Sequence, residues 1–146
     1  MTADYVKISG FMLEDASAGI RIKSADSCNI YNNKFNECHI TLDDSKNNSI
    51  YNNTCSDSEN GILLEGSGSN NIYNNNCSNN VRGIYLENSV NNSVFNNTCS
   101  NNGDGIRHDS RYPYNSHHNN IFNNTCSNNG RGISLRGCHR ISVPSS

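Results

Sequence analysis

The sequence predicts an all-β solenoid, a parallel β-helix with one coil per sequence repeat, and three observations lead to this fold class. A phrase reading Ile-Tyr-Asn-Asn, or a close variant, starts at Ile30, Ile50, Ile72, Val94 and Ile121. A second phrase, usually Gly-Ile, alternates with the first phrase. Within the second phrase apolar residues recur at every other position, as in Ile84-x-Leu86, which is typical of a strand. Short strands that return at a fixed period predict stacked coils.

The repeat length sets the number of coils. Successive first phrases are 20, 22, 22 and 27 residues apart, and Ile8 lies 22 residues before Ile30. About 22 residues allow three short strands and three turns in each coil. A leucine-rich repeat has a similar length, but its leucine-dense pattern is absent. We therefore expect about six coils in a single domain that covers residues 1–146.

Equivalent residues should stack on neighbouring coils, roughly 4.8 Å apart. Four interior columns are predicted, and their members are mostly apolar. The first two are Ile8, Ile30, Ile50, Ile72, Val94, Ile121 and Leu13, Phe35, Cys55, Cys77, Cys99, Cys126. The other two are Ile20, Ile40, Ile62, Ile84, Ile106, Ile133 and Ile22, Leu42, Leu64, Leu86, His108, Leu135. A turn column of Asn33, Asn53, Asn75, Asn97 and Asn124 predicts a ladder of hydrogen-bonded amides.

Composition agrees with a thin interior. Only 33% of the residues are hydrophobic, and 30 Asn and 21 Ser make up about a third of the chain. Such a composition is typical of disorder when the apolar residues are scattered, but here they fall into columns. The net charge of -2 and the lack of Lys/Arg clusters argue against nucleic-acid binding. No apolar run is long enough to span a membrane, and no signal peptide opens the chain.

The repeats resemble those of a known family. The segments are YVKISGF at the start, then GIRI, NIYNN, GILL, GIYL and NNSVFNN. They are similar to NosD-like repeats, which belong to the pectate-lyase-like superfamily of right-handed, single-stranded parallel β-helices. The resemblance covers nearly the whole chain. It implies one of several functions: a surface or periplasmic scaffold, a polysaccharide lyase, hydrolase or epimerase, or an accessory protein of copper-enzyme maturation. The Asp-Pro-His-Glu motif of related epimerases is not matched.

Both ends look uncapped. No amphipathic helix precedes Val6, and Ile141-Ser142-Val143 reads as the first strand of another coil. Solenoids need caps on their terminal coils. We therefore expect an excised segment of a longer protein, or a stack whose ends meet partners. Self-association could be end to end or side to side.

The seven cysteines do not predict a disulfide framework, because their number is odd and close pairs are absent. Four of them share one interior column, where a thiol acts as a small apolar side chain. A thiol column could bind Cu(I), although a linear column offers at most two neighbouring thiols. Free interior thiols suit a reducing or anaerobic setting. The histidines His39, His108, His117, His118 and His139 show no metal-ligand spacing.

Two outward rows flank the Gly-Ile strands. One row is Arg21, Thr41, Leu63, Tyr85, Arg107, Ser134, and the other is Lys23, Asp43, Glu65, Glu87, Asp109, Arg136. Stacked carboxylates repel, so solvent, the arginines or a ligand must offset them. The rows form either a solvated acidic stripe or a polar groove that recognises sugars. Asp43, Glu65, Glu87 and Asp109 are candidate Ca²⁺ ligands, although no cofactor is required. In a lyase or hydrolase, Glu87, Arg107, His108 and Asp109 are the candidate catalytic residues.

One irregularity interrupts the repeat. Five extra residues lie between Ile106 and Ile121, and insertions in solenoids project as loops, often on the binding face. The candidate ligand-binding residues are therefore Tyr85, Arg111, Tyr112, Tyr114, His117 and His118. His108 also replaces leucine in its interior column, which is a local break in pattern.

A further outward column is aromatic and comprises Tyr31, Tyr51, Tyr73, Phe95 and Phe122. It predicts cross-strand stacking, a sugar platform or a packing surface.

The favoured function is a β-helix module of a larger cell-surface or envelope protein. It would act as a structural or carbohydrate-recognition scaffold without catalysis of its own. Its partner would be a polysaccharide or a protein. The alternatives are a lyase or hydrolase fragment that acts along the acidic stripe, and a NosD-like copper-handling protein.

Overall fold

The computed structural model describes residues 4–111 and 118–137. Over these ranges the chain forms eighteen short strands, which assemble into three parallel sheets of six strands. Consecutive strands belong to different sheets, and each strand pairs with the strand one repeat away. This is the predicted β-helix. Equivalent positions in the first and last strands of a sheet are five turns apart, close to the expected six coils. The described residues include no helix that could cross a membrane.

Each sheet takes one strand from every repeat. The first sheet contains β1 (Lys7–Ser9), β4 (Asn29–Tyr31), β7 (Ser49–Tyr51), β10 (Asn71–Tyr73), β13 (Ser93–Phe95) and β16 (Asn120–Phe122). The second contains β2 (Met12–Glu14), β5 (Lys34–Asn36), β8 (Thr54–Ser56), β11 (Asn76–Ser78), β14 (Thr98–Ser100) and β17 (Thr125–Ser127). The third contains β3 (Ile20–Lys23), β6 (Ile40–Asp43), β9 (Asn60–Glu65), β12 (Arg82–Glu87), β15 (Asp104–Asp109) and β18 (Arg131–Arg136).

The registers confirm all four predicted columns. Ile72 pairs with Ile50 and Val94, Cys77 with Cys55 and Cys99, and both columns of the third sheet follow the same rule. Most column members are fully buried, so a narrow apolar core runs along the solenoid axis. Ile133 and Leu135 in β18, at the edge of the third sheet, are 41% and 44% exposed. The register also resumes after the insertion, since Val94 pairs with Ile121.

The asparagine ladder closes the corner between the first and second sheets. Asn75 Nδ2 donates to the carbonyl oxygens of Ile50 and Tyr73 at 2.9 and 3.1 Å, and to Asn97 Oδ1 at 3.0 Å. Its own Oδ1 accepts two hydrogen bonds from Asn53. The residue before each ladder asparagine has a positive φ, for example 55° at Asn74. Asn tolerates that conformation better than most residues, which explains the repeated Asn-Asn pair.

Two further asparagine ladders run along the other corners, and the repeat phrases did not predict them. One comprises Asn48, Asn70, Asn92 and Asn119, and the other Asn80, Asn102 and Asn129. A fourth polar ladder joins Ser45, Ser67 and Ser89. Each of these side chains satisfies backbone groups that the corners would otherwise leave unpaired in the interior. The Asn and Ser excess is therefore structural.

The glycine of the second phrase has a packing cause. A Cβ atom on Gly83 would lie 2.5 Å from the carbonyl oxygen of Gly105 on the next coil. At Gly61, Gly83 and Gly105 the corner backbones of neighbouring coils therefore approach each other too closely for a side chain.

Candidate functional site

The acidic row on the outer surface of the third sheet is in the predicted register. Asp43, Glu65, Glu87 and Asp109 are successive Cα partners. The expectation of a fully solvated stripe is wrong for two of them, because Asp43 and Asp109 are only 7% and 5% exposed. Glu65 is exposed and Glu87 is half-buried. Longer side chains from the same face cover the aspartates, so this part of the surface is an ion-pair network.

Arg107 and Asp109 form the centre of that network. Arg107 donates to Asp109 Oδ2 through Nε at 2.9 Å and through Nη2 at 2.6 Å. The Tyr85 hydroxyl donates to the same oxygen at 3.2 Å. Tyr85 and Arg107 are brought together because they are register partners on β12 and β15. Asp109 Oδ1 is buried and makes no hydrogen bond within the described residues.

Arg82, Asp104 and Arg131, the first residues of β12, β15 and β18, extend the network. Asp104 is 2% exposed and accepts hydrogen bonds from Arg131, one of them from Nη2 at 3.1 Å. Arg107 Nη1 lies 3.4 Å from the same carboxylate. The Arg82 guanidinium carbon lies 4.9 Å from the centre of the Tyr85 ring, within cation–π range.

An open cleft of about 390 Å³ lies beside these residues, and we call it the arginine cleft. It is lined by Val81, Arg82, Gly103, Asp104, Arg107, Gly130 and Arg131. Three guanidinium groups and one carboxylate therefore face it. Arg82 also pairs with the exposed Glu59 at 3.0 Å, and the Arg131 side chain is 55% exposed. The cleft offers hydrogen-bond donors to a polar ligand.

Sequence reasoning missed Arg82, Asp104 and Arg131. Their signal was present, because each directly precedes the Gly of a second phrase. The three residues are Cα partners in the order Arg, Asp, Arg. Alternating charges at one column position predict cross-strand ion pairs.

The network moves the pKa values of its members away from neutrality. Burial opposes ionisation of Asp109, but the hydrogen bonds and charge of Arg107 and the Tyr85 hydroxyl outweigh it and lower the pKa. The hydrogen bond to Asp109 raises the pKa of Arg107. Burial and the nearby carboxylates raise the pKa of Tyr85 to about 12. All three groups keep their ordinary charge states at neutral pH.

The structure brings Glu87 and Arg111 next to this network. Arg111 Nε lies 3.4 Å from Glu87 Oε1, and its backbone N–H donates to Asn88 Oδ1 at 2.9 Å. The predicted ligand-binding residue His118 is exposed, with a φ of 58°. Tyr112, Tyr114 and His117 lie outside the described residues.

His108, a candidate catalytic residue, lies inside the solenoid. It is fully buried in the column that otherwise holds Ile22 and leucines. Its imidazole Nε2 lies 2.6 Å from Asn119 Nδ2. The side chain therefore points away from the outer face that carries Arg107 and Asp109.

The candidate Ca²⁺ ligands are distributed along the row. A second cleft of about 220 Å³ is lined by Asp43, Asp44, Glu65, Gly66 and Asn88. Asp43 is already engaged, since it accepts from Arg21 and lies 3.3 Å from Lys23 Nζ. Within residues 4–111 and 118–137 no group of three or more His, Cys, Asp or Glu side chains could hold a metal ion.

The aromatic column forms the predicted stack. Ring centroids from Tyr31 to Phe122 are 5.0 to 5.1 Å apart, and successive ring planes differ by at most 8°. Each inner ring therefore covers the faces of its neighbours. A sugar ring that stacks on an aromatic face finds no free face at the inner positions. The column stabilises the sheet, by roughly 0.2–1 kcal/mol per pair.

The resemblance of the repeats to a known family is confirmed by a family model. The family model described as periplasmic copper-binding protein (NosD) matches residues 2–129. The chain belongs to the NosD family. No curated protein sequence matches the chain at a significant level.

Solved structures show the same architecture as this NosD-family chain. It is similar to a double mutant of the periplasmic alginate epimerase AlgG, with a TM-score of 0.80 and 23% identity over 94% of this chain and 39% of that chain. Another AlgG structure gives a TM-score of 0.62 and 22% identity over 97% and 44% of the two chains. At this identity the likeness concerns the fold. The chain spans about two fifths of the AlgG chains.

Copper is the metal that NosD membership implies, and the cysteine column holds the softest donors. Cys55, Cys77, Cys99 and Cys126 are thiols stacked on successive coils. The hydrogen bond with Cys55 and then burial raise the pKa of Cys77 well above its usual value. Metal ligation needs thiolates that converge on one point. The column arranges its thiols in a line instead of around one point, so it does not fit a copper site. Cys138 and His139 lie outside the described residues.

Proposed function

We propose that this NosD-family chain is a β-helix module of a cell-envelope protein, which recognises a polysaccharide and has no catalysis of its own. The observation that carries the proposal is the mutual pairing of Arg107, Asp109 and Tyr85. The side chains best placed for sugar chemistry are engaged with one another. They stabilise the outer face of the third sheet.

The charge states of these groups argue against proton transfer by Asp109 as an acid or by Arg107 or Tyr85 as a base. General acid and base catalysis is most efficient when the pKa of the catalytic group lies near the working pH. Asp109 is a poor acid because its pKa is lowered, and Arg107 is a poor base because its pKa is raised. Tyr85, with a pKa of about 12, is also a poor base at neutral pH. The shifts therefore oppose a general-acid role for Asp109 and a general-base role for Arg107 and Tyr85.

The envelope setting is supported by two descriptions. The NosD family model is described as periplasmic, and the similar AlgG structures are of a periplasmic enzyme that acts on alginate. Both descriptions support a periplasmic setting, and the AlgG description alone supports a polysaccharide ligand. Two open clefts and a long polar surface give this chain room for such a ligand.

A glycan array with the purified full chain tests this proposal. The expected result is retention on at least one polysaccharide, without any shortened, unsaturated or epimerised product in mass spectra of the eluted glycan. Failure to retain any glycan would contradict the recognition function. Products formed by the wild type and lost in an Asp109→Asn variant would contradict the absence of catalysis.

Copper handling is the second candidate, and family membership is the observation that favours it. Since the described residues do not fit a copper site, we expect Cu(I) titration against a chromophoric chelator to give binding no tighter than micromolar. Tighter binding, lost when Cys77 and Cys99 are both changed to Val, would establish the copper function instead.

A further inference from the structure

We propose that the arginine cleft binds a polysaccharide that carries carboxylate groups, and that Arg82 and Arg131 hold those groups. This inference rests on the proposed carbohydrate recognition, and it names the binding site and the class of ligand. The cleft lies at the start of three neighbouring strands of the third sheet, where Arg82, Asp104 and Arg131 are Cα partners on β12, β15 and β18.

Part of the cleft is lined by glycine backbone. Val81, Gly103 and Gly130 occupy equivalent positions, since each directly follows an asparagine of the ladder through Asn80 and Asn102. A Cβ atom on Gly103 would lie 2.7 Å from the carbonyl oxygen of Val81, and one on Gly130 would lie 2.8 Å from that of Gly103. Close backbone packing therefore excludes side chains at both glycines, and this leaves the open space of about 390 Å³. That volume lies within the range of roughly 300–1,000 Å³ that is typical of ligand sites.

The two arginines have hydrogen-bond donors to spare. Arg131 uses Nε and Nη2 on Asp104, which leaves Nη1 without a partner among the described residues. Arg82 uses Nη1 on Glu59 and Asn60, at 3.0 and 3.2 Å. Its Nη2 and its buried Nε make no hydrogen bond within residues 4–111 and 118–137. A guanidinium group has five N–H donors and no acceptor, so only acceptor atoms of a ligand can complete either side chain.

The buried Nε atom of Arg82 is a second indication of a ligand. A buried donor without an acceptor is rare in proteins and calls for an explanation. The Glu59 side chain that pairs with Arg82 is 69% exposed, and such ion pairs contribute little to stability. A ligand carboxylate that replaces Glu59 can accept two hydrogen bonds from the guanidinium in the fork geometry that arginine favours. The ligand would therefore satisfy donors that the chain leaves unpaired.

The charge of the cleft favours an anion. Three arginines and one aspartate contribute to its described lining. Asp104 accepts from both Arg131 and Arg107, so two guanidinium groups share one carboxylate. Arg82 and Arg131 already bind carboxylates of this chain, those of Glu59 and Asp104. A carboxylate is therefore the ligand group that best suits the donors of the cleft.

The spacing of the two arginines favours a polymer over a small anion. Arg82 and Arg131 are separated by the strand that carries Asp104, so their Cα atoms lie two strand spacings, or roughly 9.6 Å, apart. Val81, next to Arg82 in the lining, is 57% exposed and offers an apolar surface to the C–H groups of a sugar ring. An extended acidic glycan can contact both arginines and Val81 together, whereas a single uronic acid reaches one arginine.

Isothermal titration of the full chain with oligomers of polygalacturonate tests the inference, and the fully methyl-esterified oligomers serve as the uncharged control ligand. The weakening variant is Arg131→Gln. Its matched control is Arg21→Gln, because both arginines are about half-exposed and pair with a buried aspartate of the third sheet. A second variant, Glu59→Gln, removes the competing carboxylate at an exposed position and so keeps the fold. Its control is Glu14→Gln, an exposed glutamate on β2 outside the cleft.

We expect the charged oligomers to bind about tenfold more tightly than the methyl-esterified ones, with an affinity that falls as salt rises. Arg131→Gln should weaken binding about tenfold, since charge-assisted hydrogen bonds are lost. Glu59→Gln should strengthen binding about threefold, because the ligand no longer competes with an exposed ion pair. The two control variants should bind like the wild type.

Several results would overturn this inference and leave carbohydrate recognition intact. They are equal affinity for both kinds of oligomer, equal weakening in Arg131→Gln and Arg21→Gln, and weaker binding by Glu59→Gln. Tighter binding of dextran sulfate than of polygalacturonate would overturn the choice of carboxylate, and equal affinity for free galacturonic acid would overturn the choice of a polymer. Retention of neutral glycans alone on the glycan array would also overturn the inference. A chain that retains no polysaccharide at all would overturn both this inference and the proposed function.

Discussion

The imidazole Nε2 of His108 lies 2.6 Å from the side-chain amide nitrogen of Asn119, inside the solenoid. The ladder fixes the orientation of that amide, because Asn119 Oδ1 accepts from Asn92 and Nδ2 also donates to the carbonyl oxygen of Ser89 at 2.7 Å. An amide nitrogen can only donate, so Nε2 accepts and the imidazole is neutral. Burial lowers the pKa of His108 in agreement with this state.

This buried histidine makes stability depend on pH. The pKa of His108 is lower in the folded state than the unfolded value of about 6.5, so the unfolded chain binds more protons as pH falls. The contribution of His108 is therefore complete above about pH 6.5 and is lost as pH falls towards the folded-state pKa. We expect His108→Leu, which restores the column residue, to reduce the stability difference between pH 7 and pH 5. Burial also lowers the pKa of His39, so the variant should retain part of the stability difference between the two pH values. Urea unfolding at pH 7 and pH 5 measures this difference. An equal decrease in unfolding free energy for wild type and variant would contradict the role of His108.

The asparagine ladder should carry a large share of local stability. Asn75→Ala removes three donated and two accepted hydrogen bonds inside the corner and leaves backbone carbonyls unpaired. We expect a loss of about 3 kcal/mol, because each buried unsatisfied group costs about 1–3 kcal/mol. The matched control is Asn74→Gly, at the exposed neighbour whose positive φ glycine adopts easily. Equilibrium denaturation that gives equal losses for both variants would contradict the ladder's role.

The cysteine column should resist alkylation. The thiolate is the reactive species, and the hydrogen bond with Cys55 together with burial raises the pKa of Cys77, outweighing the opposite effect of the hydrogen bond with Cys99. We expect native Cys77 to react with iodoacetamide on the order of a hundredfold slower than in denaturant, since reaction requires local opening. Cys126, the half-exposed member, should react before the other three. Peptide mass mapping over time measures the order, and early labelling of Cys77 would show that the column is open.

The columns could be predicted from sequence because each is fixed by one repeated phrase. Ile72 and Asn75 occur within the same Ile-Tyr-Asn-Asn phrase, and the register then follows from the repeat length. The ladder through Asn70 and Asn119 was missed because its corner residue varies, with Ser69 before one and His118 before the other. Asparagines can therefore occupy equivalent ladder positions even when the residues around them differ from coil to coil.

For the ion-pair network, the sequence predicted which residues lie in the outward rows but not which of them form ion pairs. The sequence places Arg107 and Asp109 on the same outer face, but it does not tell whether their side chains extend into solvent or fold onto each other. That choice depends on side-chain rotamers and on Tyr85 from the neighbouring coil, which packs beside both. The expected repulsion between carboxylates was therefore relieved by partners within the face, at Asp43 as well as at Asp109.

Acid sensitivity follows from the same network. The folded-state pKa of Asp109 is lower than its unfolded value of about 3.9, so its stabilisation is present above that pH and is lost as pH falls through the folded-state pKa. Asp43, whose pKa the Arg21 hydrogen bond lowers, adds to the effect. We expect the unfolding midpoint of the wild type to decrease below about pH 4, and less steeply in Asp109→Asn. Identical acid profiles for the two proteins would contradict this account.

The most direct test of a scaffold without catalysis is to measure unfolding free energy and product formation together for wild type and Asp109→Asn, with alginate and polygalacturonate as probes. The substitution removes the nearer of the two carboxylates that Arg107 contacts, so we predict a loss of about 2 kcal/mol in unfolding free energy, with no product from either protein. Glu65→Gln, at an exposed position of the same row, should leave stability unchanged. A wild type that forms product, together with an equally stable Asp109→Asn variant that does not, would contradict the central claim.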